Sequence, residues 1–121
     1  MINPYIEKSK ECIKSIPSLK GEIQELTEQI KQGNRDKNTV KVLQKKTILL
    51  KHYIGILEQF GVIGHVLIDI YFNQKDNRII ANKYGLCTDT VQRYKYFSDK
   101  YNNDWQTLAV LLYGIDALLM E

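Results

Sequence analysis

The sequence predicts an all-α protein, and three observations carry that expectation. Leu, Ile, Lys, Glu and Gln dominate the 121 residues, and all of them sit at low cost in a helix. Only two prolines interrupt the chain. Runs of alternating Val, Ile and Thr between turn signals, the mark of strands, are absent. The length suits one compact domain, or a small domain with a helical extension.

The elements follow in order. Asn3-Pro4 opens a first helix, with Asn3 as cap and Pro4 at the tolerated first position; Tyr5, Ile6, Ile13 and Ile16 form its stripe, and Pro17 marks its end. A second helix follows Ser18, with Leu19, Ile23, Leu26 and Ile30 at spacings of four, three and four, a narrow seam flanked by Glu22, Glu25, Glu28 and Lys31. Gly33-Asn34 stops it. Asp36 caps a long third helix reaching about Phe60, with Val40, Leu43, Ile48, Leu50, Tyr53, Ile54 and Leu57 along it. Helices two and three should pair as an antiparallel hairpin. The opposite face of the third carries Lys41, Lys45, Lys46 and Lys51 and reads as a solvated basic face before it reads as a phosphate-contacting stripe.

Gly61 and Gly64 break the pattern before a very apolar helix over residues 62–72, followed by a loop at 73–75. Residues 76–96, DNRIIANKYGLCTDTVQRYKY, are the most informative stretch. Ala81 is small where two helices would cross. Gly85 can adopt the positive φ that ends one helix and turns into the next. Leu86 and Val91 then pack the second helix back on Ile80 and Tyr84, with Leu67, Ile70 and Tyr71 as the floor. The expected unit is a helix-turn-helix. After a break at Tyr101-Asn102-Asn103, one last helix has Asp104 in its first turn, where a carboxylate suits the dipole. It carries Trp105, Leu108, Leu111, Leu112, Ile115, Leu118 and Leu119. It is greasier than one domain face needs, so it serves the core or a contact between two copies. Three regions result: 1–60 with the helical hairpin, 61–100 with the helix-turn-helix, and 101–121, together one compact unit.

Charge narrows the function. The chain carries a formal net charge of +3. Residues 75–100 hold Lys75, Arg78, Lys83, Arg93, Lys95 and Lys100 against Asp76, Asp89 and Asp99, six minus three, so the whole surplus lies there. That focus favours DNA over an ordinary helical hairpin. Thr88, Asp89, Gln92 and Arg93, left over on the second helix, are the candidates for reading base edges. Lys75, Arg78, Lys83, Lys95 and Tyr96 are the candidates for the DNA backbone.

Other chemistries find little footing. Cys12 and Cys87 lack CxxC spacing, so neither a zinc site nor a disulfide framework is expected. His52 and His65 have no carboxylate or cysteine at ligand spacing. No Gly-rich phosphate loop, HExxH or paired acidic motif appears, so no enzyme, cofactor or metal is expected. The first ten residues are polar, which argues against a secretory signal. The apolar run over 108–119 is broken by Gly114 and Asp116 and is too short for a bilayer. A cytoplasmic protein is expected.

With these residues laid out, residues 67–94 resemble the sigma-factor-type helix-turn-helix, especially that of phage-encoded late-gene activators of the ArpU and RinA kind. The matching string is Tyr71-Phe72, then Ile80-Ala81, Tyr84-Gly85-Leu86 and Thr90-Val91. The motifs cover about a quarter of the chain, and the helix layout covers most of it. The resemblance implies a small cytoplasmic transcription regulator from a phage or mobile element of a low-GC bacterium, with RNA polymerase among its possible contacts. Cys87 departs from it, because that family has Ser or Thr as cap of the recognition helix. Asp89 in the first turn would repel phosphate unless it accepts from a cytosine amino group.

The leading expectation is thus a sequence-specific regulator binding double-stranded DNA, paired as a homodimer through the C-terminal helix. A small terminase-like packaging subunit, whose helical hairpin would build a ring, is the alternative from another class. An all-helical interaction adaptor or inhibitor is the third.

Overall fold

The computed structural model describes residues 3–119, with the side chain of Leu119 outside that description. Eight α-helices form it: α1 (Pro4–Lys14), α2 (Ile16–Lys31), α3 (Lys37–Glu58), α4 (Gly61–Leu67), α5 (Asn77–Tyr84), α6 (Thr88–Lys95), α7 (Asn102–Tyr113) and α8 (Ile115–Leu119). A π-helical turn, Ile68–Phe72, extends α4, and a 3-10 turn, Asp99–Tyr101, precedes α7. No strand occurs among the described residues, as the composition predicts.

The start of α1 is held by the side chain of Asn3. Asn3 Oδ1 accepts from the Tyr5 amide at 2.9 Å, the expected cap, and Asn3 Nδ2 donates to the Ala117 carbonyl at 2.9 Å. The cap of α1 therefore also fastens α8, and α1 lies along α7. Pro17 does not end α1. It stands in the first turn of α2, where its missing N–H costs nothing, and the break falls at Ser15.

α2 and α3 pair across the turn at residues 32–36 as an antiparallel hairpin. Asp36 precedes α3 without a capping side-chain bond. At the far end of the hairpin α4 folds back on α3. Gly64 is what permits this approach: a Cβ there would sit 1.8 Å from the Leu57 carbonyl oxygen and 2.8 Å from Phe60 Cβ. Gly64 is therefore a packing glycine inside a helix, not a helix breaker.

Two apolar clusters result. The larger gathers Ile13, Ile16, Ile56, Leu57, Leu67, Phe97, Trp105 and Leu108 from five helices and the chain after α6. The smaller joins Val66 and Ile70 to Ile80, Ala81 and Val91. The floor under α5 and α6 is thus Val66 and Ile70. Leu67, expected there, faces the larger cluster, while Tyr71 touches both.

The last helix is divided. Gly114 ends α7, and α8 is a separate short helix. Trp105, Leu108 and Ala109 are buried within the chain, and Trp105 Nε1 donates to the Ser98 carbonyl at 2.8 Å. Leu112 is half-buried in the same core. Leu119, expected to be buried here, has its side chain outside the described residues.

Replacing Gly64 by Ala should cost at least the roughly 1–3 kcal/mol usual for overpacking, because the obstacle is backbone and cannot swing away. Urea unfolding would read this as a lowered midpoint. An unchanged midpoint would contradict the close approach of α4 to Leu57.

Candidate nucleic-acid interface

α5 and α6 form the candidate site. α5 turns Ile80 and Ala81 inward, and both are buried. Gly85 follows at φ 66°, ψ 34°, the left-handed conformation glycine adopts without Cβ strain, and the Leu86 amide returns to the Ala81 carbonyl at 2.9 Å. The chain turns sharply here and starts α6 at Thr88. Val91, with no exposed surface, pins the inner side of α6. Thr88, Asp89, Gln92 and Arg93 are exposed on the outer side.

Cys87 occupies the N-cap in extended conformation and makes no capping bond from its side chain. Its carbonyl accepts from Thr90 and Val91 in the ordinary helical manner, while its thiol lies 3.7 Å from Thr90 Oγ1. α6 thus begins without the Ser or Thr oxygen that the resemblance leads one to expect.

The end of α6 is held by three contacts. Tyr71 OH donates to the Lys95 carbonyl, joining the helix to the π-helical turn. Burial, with the nearby Tyr96, pushes the Tyr71 phenol up to about 12, so it stays a donor at neutral pH. The Ser98 amide returns to the Arg93 carbonyl at 2.9 Å. Phe97 then takes φ 51°, a left-handed conformation that costs a non-glycine residue of order 1–3 kcal/mol. The compensation is packing: Phe97 is buried, its ring 5.0 Å from Trp105 and 6.3 Å from Tyr71 between centroids. The break after α6 therefore lies at residues 96–98, earlier than the Tyr101-Asn102-Asn103 expectation.

Asp69 is the residue that sequence reasoning missed. It lies in the π-helical turn with 2% of its surface exposed. Asn73 Nδ2 donates to it at 2.8 Å, Tyr84 OH at 2.9 Å and Lys83 Nζ at 2.9 Å, with Lys75 Nζ at 3.7 Å. Burial pushes the carboxyl up. Bonds from Asn73, Lys83 and Tyr84, with the Lys83 charge, outweigh that and hold it below its ordinary value. One signal was available: Asp69 is the single carboxylate in the apolar run 62–72.

Lys75 and Lys83 accordingly stand beside a buried anion instead of standing free. Counting Asp69 with residues 75–100 lowers the local surplus from six minus three to six minus four, or +2. Lys95 is half-buried with its ammonium 5.7 Å from the Tyr96 ring centroid, and Tyr96 is 65% exposed. Arg78 is exposed on α5. Asp89, Gln92, Arg93, Tyr96 and Ser98 line one shallow depression, so three of the four base-reading candidates meet in one place with one backbone candidate. Asp89 precedes Arg93 by four residues, yet no ion pair joins them among the described residues.

Among the described residues no group of three or more His, Cys, Asp or Glu side chains could hold a metal, and no helix is long and apolar enough to cross a membrane. Comparison of the chain with protein-family models, with curated proteins and with solved structures finds no match.

Two predictions follow from this geometry. Asp69→Asn keeps the shape and removes the charge, and at neutral pH it should cost stability near the lower end of roughly 1.5–3 kcal/mol, since both lysines are partly solvated. The sign with pH is fixed by the lowered carboxyl. The contribution is complete above the unfolded value of about 3.9 and disappears as pH falls through the folded one. Denaturant titrations of both proteins should therefore converge in acid, and a constant gap down to the lowest pH would refute the assignment. Cys87→Ser supplies the missing cap oxygen and should raise stability by about 0.5–1 kcal/mol, read as a higher melting temperature. A lower one would mean the thiol is the better fit.

Proposed function

We propose that the chain is a sequence-specific regulator of transcription that binds double-stranded DNA, with α5 and α6 acting as a helix-turn-helix and α6 entering the major groove. The observation that carries this reading is Arg93. It is exposed in the last turn of α6, it shares a depression with Gln92 and Asp89, and no carboxylate neutralises it among the described residues. A guanidinium so presented reaches guanine O6 and N7 together, a fork that a lysine cannot reproduce. Thr88 and Gln92 supply further polar contacts, and Asp89 selects for a cytosine amino group.

Arg78, Lys95 and Tyr96 flank this face toward the DNA backbone. Lys75 and Lys83 reach phosphate only by sharing their charge with Asp69, so they contribute less. The sigma-factor-like pattern of residues 67–94 supports a regulator acting in the cytoplasm of a bacterial host, with a phage or mobile-element origin and RNA polymerase as a further contact.

Two copies on one site would set two α6 helices about 34 Å apart, one turn of DNA, and the site would be palindromic. Pairing through the C-terminal helix would rest on Leu111, Ile115 and Leu118, because Trp105, Leu108 and Ala109 are taken up by the core of the same chain.

One observation also favours the packaging-subunit reading: the α2–α3 hairpin extends beyond the core clusters, as an assembly arm would.

Enriching random duplexes on the purified protein would yield the preferred site. Arg93→Ala should cost roughly 1–3 kcal/mol on that site and relax sequence preference. Lys95→Ala should weaken all duplexes alike and flatten the salt dependence, since a phosphate contact carries no sequence information. If neither change alters DNA affinity, α6 is structural and the adaptor reading replaces this one.

A further inference from the structure

The α2–α3 hairpin has an unfinished seam. Between Leu19 and Ile56 no side chain is buried, although Ile23, Leu26 and Ile30 keep a four-three-four spacing with Leu19. Two helices alone leave such a seam half open. A two-helix layer needs a second layer over it.

One side of the arm is built to supply that layer to itself. On α3, Val42, Lys45, Lys46 and Leu49 recur at i, i+3, i+4 and i+7, hence on one face. Val42 is 40% exposed and Leu49 41% exposed, large apolar side chains without cover. On α2, Glu22, Glu25, Leu26 and Gln29 recur at the same four spacings. The ion pair from Lys46 to Glu22 shows that these two faces lie on the same side of the hairpin. The side is therefore acidic along α2 and basic along α3, with apolar residues between. Among the described residues neither Glu25 nor Lys45 has an ion-pair partner.

We propose that this side of the arm is a self-association surface whose occupant is the same side of a second copy, making a four-helix bundle. A two-fold contact requires a patch that carries its own complement. Here the complement is charge: a dyad running along the arm lays α2 of one protomer over α3 of its partner, so glutamates meet lysines twice. The other dyad in that plane would lay α2 on α2 and oppose glutamates, which costs energy. The favoured dyad keeps both arms pointing the same way and so brings both α5–α6 units to the same end. The exposed stripe at Leu111, Ile115 and Leu118 is a poorer candidate, since Asp116 is the one charged side chain in the described residues 111–119 and that segment carries no basic complement of its own.

Sedimentation of the full chain without DNA tests this independently of the DNA reading. The wild type should run at twice the chain mass at high micromolar concentration. Val42→Glu with Leu49→Glu should give a monomer with unchanged helical circular dichroism, because both side chains already meet water. Lys45→Glu should raise the dimer dissociation constant, and adding Glu25→Lys to it should bring the constant back. A monomeric wild type overturns the proposal. So does a closed ring of many copies, or a dimer that survives the Val42 and Leu49 changes but is lost in Ile115→Glu with Leu118→Glu.

Discussion

The buried carboxylate of Asp69 is the constraint on which the upper part of the molecule depends. An anion removed from water must be answered by hydrogen bonds and positive charge, and here the bonds come from Asn73, Lys83 and Tyr84, with the Lys75 ammonium beside them at 3.7 Å. They lie on the end of the π-helical turn, the loop after it and the last turn of α5. One side chain thus fixes how the loop leaves the scaffold and how α5 is oriented above it. The apolar contacts of Val66 and Ile70 with Ile80, Ala81 and Val91 supply the adhesion. They are non-directional, so they would tolerate sliding that the Asp69 bonds do not.

α6 inherits its position from this arrangement and is clamped separately at its far end. Tyr71, two residues after Asp69, donates to the Lys95 carbonyl. The polar contacts that Asp69 and Tyr71 make with α5 and α6 therefore arise from one short π-helical turn. That turn is anchored from behind by Lys20, which donates to the Phe72 carbonyl at 2.8 Å with its ammonium 4.5 Å from the Phe72 ring centroid. The exposed polar face of α6 is left free of structural duties. The electrostatic consequence is a compromise, because two of the lysines nearest the site serve Asp69 first. Under the proposed DNA reading, Arg78 and Lys95 are then the cations left to meet phosphate beside the base-reading face.

Much of this was legible in the sequence, and the misses have physical reasons. The all-helical class, the Asn3 cap, the hairpin and the α5–Gly85–α6 turn were all readable, because each rests on local chemistry: a cap oxygen, a heptad-like spacing, a glycine at positive φ. Pro17 was misread because a proline suits the position after one helix and the first turn of the next equally well, and only tertiary context decides. The break at Phe97 has no glycine or asparagine at its left-handed position. An aromatic holds a left-handed conformation there only because Trp105 and Tyr71 surround it. Gly64 looked like a breaker since close backbone approach leaves no trace in periodicity. At the candidate site, exposure of Thr88, Asp89, Gln92 and Arg93 followed from the position of Val91, whereas the sharing of Lys75 and Lys83 did not. It needed the location of Asp69, whose partners lie 4 to 15 residues away.

The central claim is that the outer face of α6 meets duplex DNA while the scaffold beneath it stays unchanged. Amide chemical shifts of the isotope-labelled chain, followed during titration with its selected duplex, test that most directly. The account predicts shifts concentrated in α6, Tyr96 and the first turn of α5, falling away as salt is added, with the amides of α1 and α7 left in place. Shifts confined to the α2–α3 arm, or none at all at low salt, would contradict it.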